Sequence, residues 1–313
     1  MEQLTSFISS RGLLKSCHSR NRHPVSSSAD IDTELIDRHA HGRTIYVCTD
    51  ALRNFAVNFL PKITLPFVLV TGDSDAPVSQ ELLNTPEISA ILHSGLLTSW
   101  FAQNLRASHP KLSSLPIGLD YHTMWERPGA WGISAISATA QEHTLMDTLA
   151  SAPPLNDRYM NAYCNWRPVP GWGDREECFS KIDRTVCLFE NGAISRASSW
   201  KRQSEFRYVV SPEGIGMDCH RTWEAILLGC TPIVKRNPMS GIFEKLPIMI
   251  VEDWSEINAD NLRRFSLQIT DRKFDFSILF REYWIQRMAA TVQDFLMPMT
   301  YQEFIKYMVR KTG

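Results

Sequence analysis

The segment richest in chemistry is SPEGIGMDCHRTWEAILLGCTPIVK, Ser211 to Lys235. It opens where an apolar run (RYVV) ends, passes Gly214 and Gly216, and enters a helical pattern that bears Arg221 and Glu224 and stops at Gly229. Glycines at a strand-to-helix turn let the backbone approach a ligand closely and reach positive φ. The free N–H groups of a helix start, with the macrodipole, favour an anion such as a diphosphate. A guanidinium at 221 adds a charge-assisted contact that can be bidentate. A carboxylate three residues on shares that helix face and can accept hydrogen bonds from a ribose diol. The plainer alternative is a surface ion pair between Arg221 and Glu224. The Ser-Pro-Glu-Gly-x-Gly before them and the Gly-Cys-x-Pro-Ile-Val after them favour the anion cradle.

Such a cradle must be carried by alternating strands and helices, and the chain has that pattern. In the first half strands are expected at Thr44–Cys48, Phe67–Thr71, Ile88–Leu92 and Leu112–Ile117, with a helix over Leu97–Ala107. A Pro, Gly and small-residue stretch at 126–157 reads as an interdomain connection. A second series follows at Tyr159–Cys164, Thr185–Leu188, Tyr208–Ser211, Thr231–Val234 and Ile248–Val251, then helices at Phe276–Leu296 and Tyr301–Arg310. The expected fold is α/β, with two Rossmann-like halves facing a cleft, where small-molecule sites tend to lie. The boundaries are an N-terminal domain over 1–125, the connection, a C-terminal domain over 158–275, and closing helices over 276–313 that pack back on the first domain.

Composition narrows the function classes. Across 313 residues, 33 Lys and Arg nearly balance 34 Asp and Glu. Nucleic acid is therefore not an expected partner, since phosphate-backbone binding needs a basic domain or stripe. Seven cysteines, an odd count without a CxxC pair, argue against a disulfide framework and a zinc site. His220 beside Cys219 has no other ligand at metal spacing and reads as structural. No run of about 18 apolar residues suggests a membrane span. The opening LTSFISSRGLLKSC reads as a transit-type leader or as a short amphipathic helix packed on the body; we adopt the helix and a cytoplasmic location.

Ser211–Lys235, together with LPIMIVEDWSEI (Leu246–Ile257), resembles the C-terminal half of exostosin-like glycosyltransferases: Pro-x-Gly, then Arg-x-x-Glu-Ala, then Gly-Cys-x-Pro-Val, then a Trp-Ser segment. The likeness is weaker over Tyr159 to Trp200 and only suggestive in FVLVTGDSD and LPIGLDYHT. It implies a GT-B architecture and an inverting, metal-independent transfer of a sugar from a nucleotide-diphosphate donor to a hydroxyl acceptor, with no cofactor. By that likeness Arg221 holds the diphosphate, Glu224 the ribose, and Ser211, Gly214 and Gly216 form the turn beneath the phosphates. The chain departs from the best-known members in lacking a luminal anchor and in having a short N-terminal domain.

Other residues are candidates for supporting parts. Asp73 and Asp75, in TGDSD after a strand, are open to three readings: turn and cap chemistry, a general base, or an Asp-x-Asp metal clamp. Asp120 and His122 follow Pro-Ile-Gly-Leu and are alternative bases or acceptor contacts, or an ordinary glycine turn. Asn165, Arg175 and Lys201 could serve the donor phosphates; a solvated surface is the competing reading. Trp166 and Trp172, in NWRPVPGWGD, could stack on a sugar or close over the core. Two other functions compete with sugar transfer as expected here: a non-catalytic nucleotide-sugar-binding protein of the same fold, and a metal-dependent Asp-x-Asp transferase.

Overall fold

The structure is a computed structural model, and it describes residues 2–32, 43–127, 135–290 and 296–312. Near the N-terminus, helix α1 (Ser10–Ser16) starts at Ser9, whose Oγ accepts the Gly12 N–H. Four parallel strands then lie side by side in chain order: β1 (Arg43–Cys48), β2 (Phe67–Gly72), β3 (Leu97–Ala102) and β4 (Leu112–Ser114). Alternation splits their side chains between two cores. Ile45, Val47, Phe67 and Leu69 face one, and Tyr46, Val68 and Val70 share the other with Leu13 and Leu14 of α1. Both faces are thus covered, as a parallel sheet requires.

Two expectations are reversed here. Residues 88–92 belong to a helix, α2 (Pro86–His93), and the expected helix at 97–107 contains β3. Pro86 at the first turn and Ile88, Ile91 and Leu92 at helical spacing set α2. Trp100 and Phe101 face opposite cores, which only a strand allows for neighbours.

The connection contains α3 (Ala138–Ala150), capped by Ser137, and α3 is part of the core rather than a free linker. Its Glu142 accepts the N–H groups of Ser6 and Phe7 and the Tyr121 hydroxyl.

The second half carries β5 (Tyr159–Cys164), α4 (Arg175–Lys181), β6 (Cys187–Phe189), α5 (Arg196–Gln203), β7 (Phe206–Val210), α6 (His220–Leu227), β8 (Thr231–Lys235) and β9 (Met249–Val251). These strands form a parallel sheet in the order β6-β5-β7-β8-β9. Counted from β5 this is 2-1-3-4-5, so the winding reverses between β5 and β7. At such a reversal the connections leave neighbouring strands towards opposite faces, and a crevice opens beyond the strands' carboxyl ends. The first sheet, in plain chain order, has no such point.

After α7 (Ala259–Ile269), β10 (Lys273–Asp275) pairs antiparallel with β11 (Pro298–Thr300). The helix expected over 276–296 is interrupted. A 3-10 turn at Phe276–Leu279, capped by Asp275, leads through extended Phe280 to α8 (Arg281–Met288); residues 291–295 lie outside the described residues. Helix α8 returns to the N-terminal segment, with Arg281 N–H on the Ser6 carbonyl and Nη1 on Ser16 Oγ. The last helix, α9 (Tyr301–Thr312), departs from the expected course and packs on α3. Its Tyr301 hydroxyl sits between the carbonyls of Ile226 and Cys230, which fixes it to the second half. No helix among the described residues is long and apolar enough to cross a membrane.

Candidate active site

The crevice at the β5/β7 reversal is a cavity of about 790 Å³, walled mainly by the second half and closed on one side by Asp75, Ile117 and Asp120 of the first. Helix α6 points its N-terminus into this region. Its cap, Cys219, makes no side-chain capping bond; the Thr222 N–H donates to the Cys219 carbonyl at 3.0 Å. Ser211 Oγ and Thr222 Oγ1 are 2.9 Å apart, tying the end of β7 to the start of α6. Ser211 is buried and does not line the cavity, so its role is to shape the turn.

Gly214 and Gly216 do line the cavity, but neither has positive φ, contrary to the expectation. Both instead sit close to neighbouring side chains. A Cβ on Gly214 would stand 3.3 Å from Arg175 Nη2, and one on Gly216 about 3.0 Å from Asn104 Nδ2. The left-handed residue here is Gly173 (φ +55°), where a Cβ would meet the Gly214 carbonyl at 2.5 Å.

Two guanidinium groups meet in the cavity. Arg221 donates from Nε to Asn165 Oδ1 at 2.8 Å, while Asn165 Nδ2 is held by Ser199. Asn165 therefore positions Arg221. Arg175 lies over the Trp172 ring, 5.0 Å from its centroid, and its buried Nε has no hydrogen-bond partner. Among the described residues neither arginine forms an ion pair. Burial pushes the Arg175 pKa down, and the nearby charge of Arg221 pushes it further the same way. Two like charges held together, one of them partly desolvated, can be offset by a bound anion.

Glu224 also lines the cavity but is not free. Arg196 Nη2 lies 2.6 Å from its Oε1, and the same guanidinium reaches Gln141 and the Asp120 carbonyl. The expected ribose carboxylate is thus half committed, and its second oxygen has no partner among the described residues. His220, one residue before Arg221, donates from Nδ1 to the Gly118 carbonyl at 2.7 Å; a carbonyl only accepts, which fixes the tautomer. Gly118 has φ +67°, and a Cβ there would strike the Ile8 carbonyl, so its carbonyl direction depends on glycine.

In the first half the candidate acids separate. Asp73 is buried, with φ +56°, and its carboxylate pairs with Arg11 Nε at 2.9 Å and accepts from Ser26 Oγ. That pairing removes Asp73 both as a base and as half of a clamp with Asp75. Asp75 is exposed and lines the cavity. Asp120 is buried at the cavity wall. Burial opposes its charge, but His220, His122 and Arg196 outweigh that and hold its pKa well below the carboxylate range, which makes it a weak base. His122 bonds Asp120 through Nδ1 and does not line the cavity.

Comparison with known proteins adds little to this geometry. No family model matches the chain. A trehalose monomycolate exporter, MmpL3, from two strains of Mycobacterium tuberculosis is 29% identical over 85 residues. That stretch is 27% of this chain, and the chain spans 8% of the exporter's length.

Of the remaining candidates, Trp172 is 41% exposed at the rim and Trp166 is buried edge-on to Phe189 in the wall. Lys201 is exposed and outside the cavity, because α5 turns it to solvent. Sequence reasoning missed Arg196, whose partners are 28 and 76 residues away; Arg167 also lines the cavity. The same reasoning dismissed His220, and overlooked buried Asp218, which accepts from Ile117 N–H and Trp223 Nε1 and so joins the halves. Among the described residues no group of three or more His, Cys, Asp or Glu could hold a metal, and all seven cysteines are free.

Proposed function

We propose that the chain is a GT-B-type glycosyltransferase that moves a sugar from a nucleoside-diphosphate donor to a hydroxyl acceptor. The observation that carries this reading is the pair Arg175 and Arg221, two guanidinium groups without a carboxylate partner among the described residues, beside the α6 N-terminus at the winding reversal. The resemblance of Ser211–Lys235 to exostosin-like enzymes points to the same ligand.

In this mechanism the diphosphate lies against Arg175, Arg221 and the N–H groups at the start of α6. The free Glu224 oxygen takes a ribose hydroxyl, and Trp172 offers a stacking face at the rim. As the bond from the anomeric carbon to the diphosphate breaks, the growing negative charge falls where cations and helix dipole already stand, the term that usually dominates catalysis. The acceptor enters from the Asp75 and Asp120 side.

A panel of nucleoside diphosphates and their sugars in a thermal-shift assay tests the reading. A ligand at a hundred times its Kd should stabilise the protein by about 2.7 kcal/mol. No shift with any uridine, guanosine, adenosine, cytidine or thymidine diphosphate would remove the donor site. The locking of Asp73 by Arg11 favours one second reading, a protein that binds the donor without transfer. Release of nucleoside diphosphate from a bound sugar nucleotide separates the two.

A further inference from the structure

We infer that His220 is the general base, taking the acceptor proton on Nε2; the inference rests on the donor reading above. Two of the three carboxylates expected in that part are poorly placed for it: Asp73 is locked to Arg11, and Asp120 is surrounded by His220, His122 and Arg196; the third, Asp75, faces the cavity and is the competing base. His220 has three features a base needs. Its Nδ1–H is committed to the Gly118 carbonyl at 2.7 Å, so the neutral ring carries its lone pair on Nε2. The hydrogen bond of the ring among the described residues is made by Nδ1, which leaves Nε2 without one, and His220 lines the cavity. It also stands between the two halves, one residue from the Arg221 cradle and across from Asp120.

The step balances simply. The acceptor O–H proton moves to Nε2, its oxygen bonds the anomeric carbon, and the bond from that carbon to the diphosphate breaks with its electron pair leaving on the diphosphate. The imidazolium so formed faces Asp120, whose carboxylate is already ionised and offsets the new charge, and the proton later passes to water. The charged and titratable groups near His220 are Asp120 and His122 from the first half and Asp218 from the preceding turn, with Arg221 and Glu224 further along α6, the last paired with Arg196 from α5. Asp75 faces the same cavity.

His220→Asn is the informative variant, because its amide can still donate to Gly118 while the Nε2 position is lost. Binding of UDP and GDP is measured by calorimetry on wild type and variant. Release of the diphosphate from UDP-glucose, UDP-N-acetylglucosamine and GDP-mannose, with water as the accepting hydroxyl, is measured across pH 5 to 9. The variant should bind within about twofold of wild type and turn over ~100-fold or more slowly. The wild-type rate should fall as the imidazole protonates, and the variant should lack that acidic limb. Variant turnover within threefold of wild type, or an affinity loss equal to the rate loss, overturns the base assignment alone. Wild type that binds but releases nothing also overturns the base and leaves the binding site standing. Wild type that binds neither UDP nor GDP overturns both.

Discussion

At the carboxyl end of the four-stranded sheet, charged residues satisfy one another. Arg11, only 1% exposed, bonds Asp73, the Pro24 carbonyl, Ser26 and Glu126. At the carboxyl end of the five-stranded sheet, Arg175 and Arg221 share a cavity and neither has a carboxylate partner among the described residues. The residue types are alike, and both clusters sit where α/β sheets gather ligands. The difference is topological. Plain strand order leaves the first end to be closed by the segment from Pro24 to Ser28, whereas the β5/β7 reversal leaves the second end open. A charge whose partners are already present holds the fold together, and on the proposed reading a charge without one finds its partner in the donor diphosphate.

The sharpest way to break that contrast is at Arg11. Replacing it with Ala strands Asp73 as a buried, unpaired charge, and stability should fall by about 3–5 kcal/mol in chemical denaturation. In the cold, where the variant stays folded, nucleoside diphosphate affinity should remain within about twofold of wild type. Lost affinity with unchanged stability would mean that the first end is a ligand site after all. Arg221→Ala should behave in the opposite way. Turnover should drop on the order of a hundredfold, as on loss of one oxyanion donor, while stability changes little because Asn165 is its main protein partner. Equal turnover in variant and wild type would sink the open-end argument.

Asp218 sharpens the comparison at the seam between the halves. It is fully buried, and burial raises its pKa from 3.8 to about 6 despite the N–H donors of Ile117 and Trp223. The native state therefore holds this proton more tightly than the unfolded chain does. Its stabilising effect is complete below about pH 4 and is lost as pH rises through 6. Against Asp218→Asn, which does not titrate, wild-type stability should decline by about 2–3 kcal/mol between pH 4 and pH 7. Denaturation curves at those two pH values measure it. A constant gap between the two proteins would show that Asp218 stays ionised throughout.

Local patterns were legible where one element decides the outcome. Tyr159–Cys164 was read to the residue, and the glycine turn, the α6 start and the stop at Gly229 were visible as spacing. Over 86–107 helix and strand exchange places because Pro86 and the i, i+3, i+4 pattern of Ile88, Ile91 and Leu92 outweigh the strand propensity of the β-branched residues. The candidate site was legible only in part, since what decides it is long-range. Nothing near Glu224 announces Arg196, nothing near Asp73 announces Arg11, and the tautomer of His220 depends on a carbonyl 102 residues away. The winding reversal depends on strand order, which spacing along the chain does not encode.

The smallest expected effect lies at Lys201. It shares α5 with Arg196, but five residues turn the helix by about 140°, so the two point to different surroundings. Arg196 is buried against Glu224, Gln141 and the Asp120 carbonyl, whereas Lys201 is exposed and remote from the cavity wall. Lys201→Ala should therefore change stability by less than about 0.5 kcal/mol, and nucleoside diphosphate affinity by less than twofold. Thermal melting and calorimetry check both. A tenfold loss of affinity would extend the anion site around α5, and Arg175 and Arg221 would then be too few to account for it.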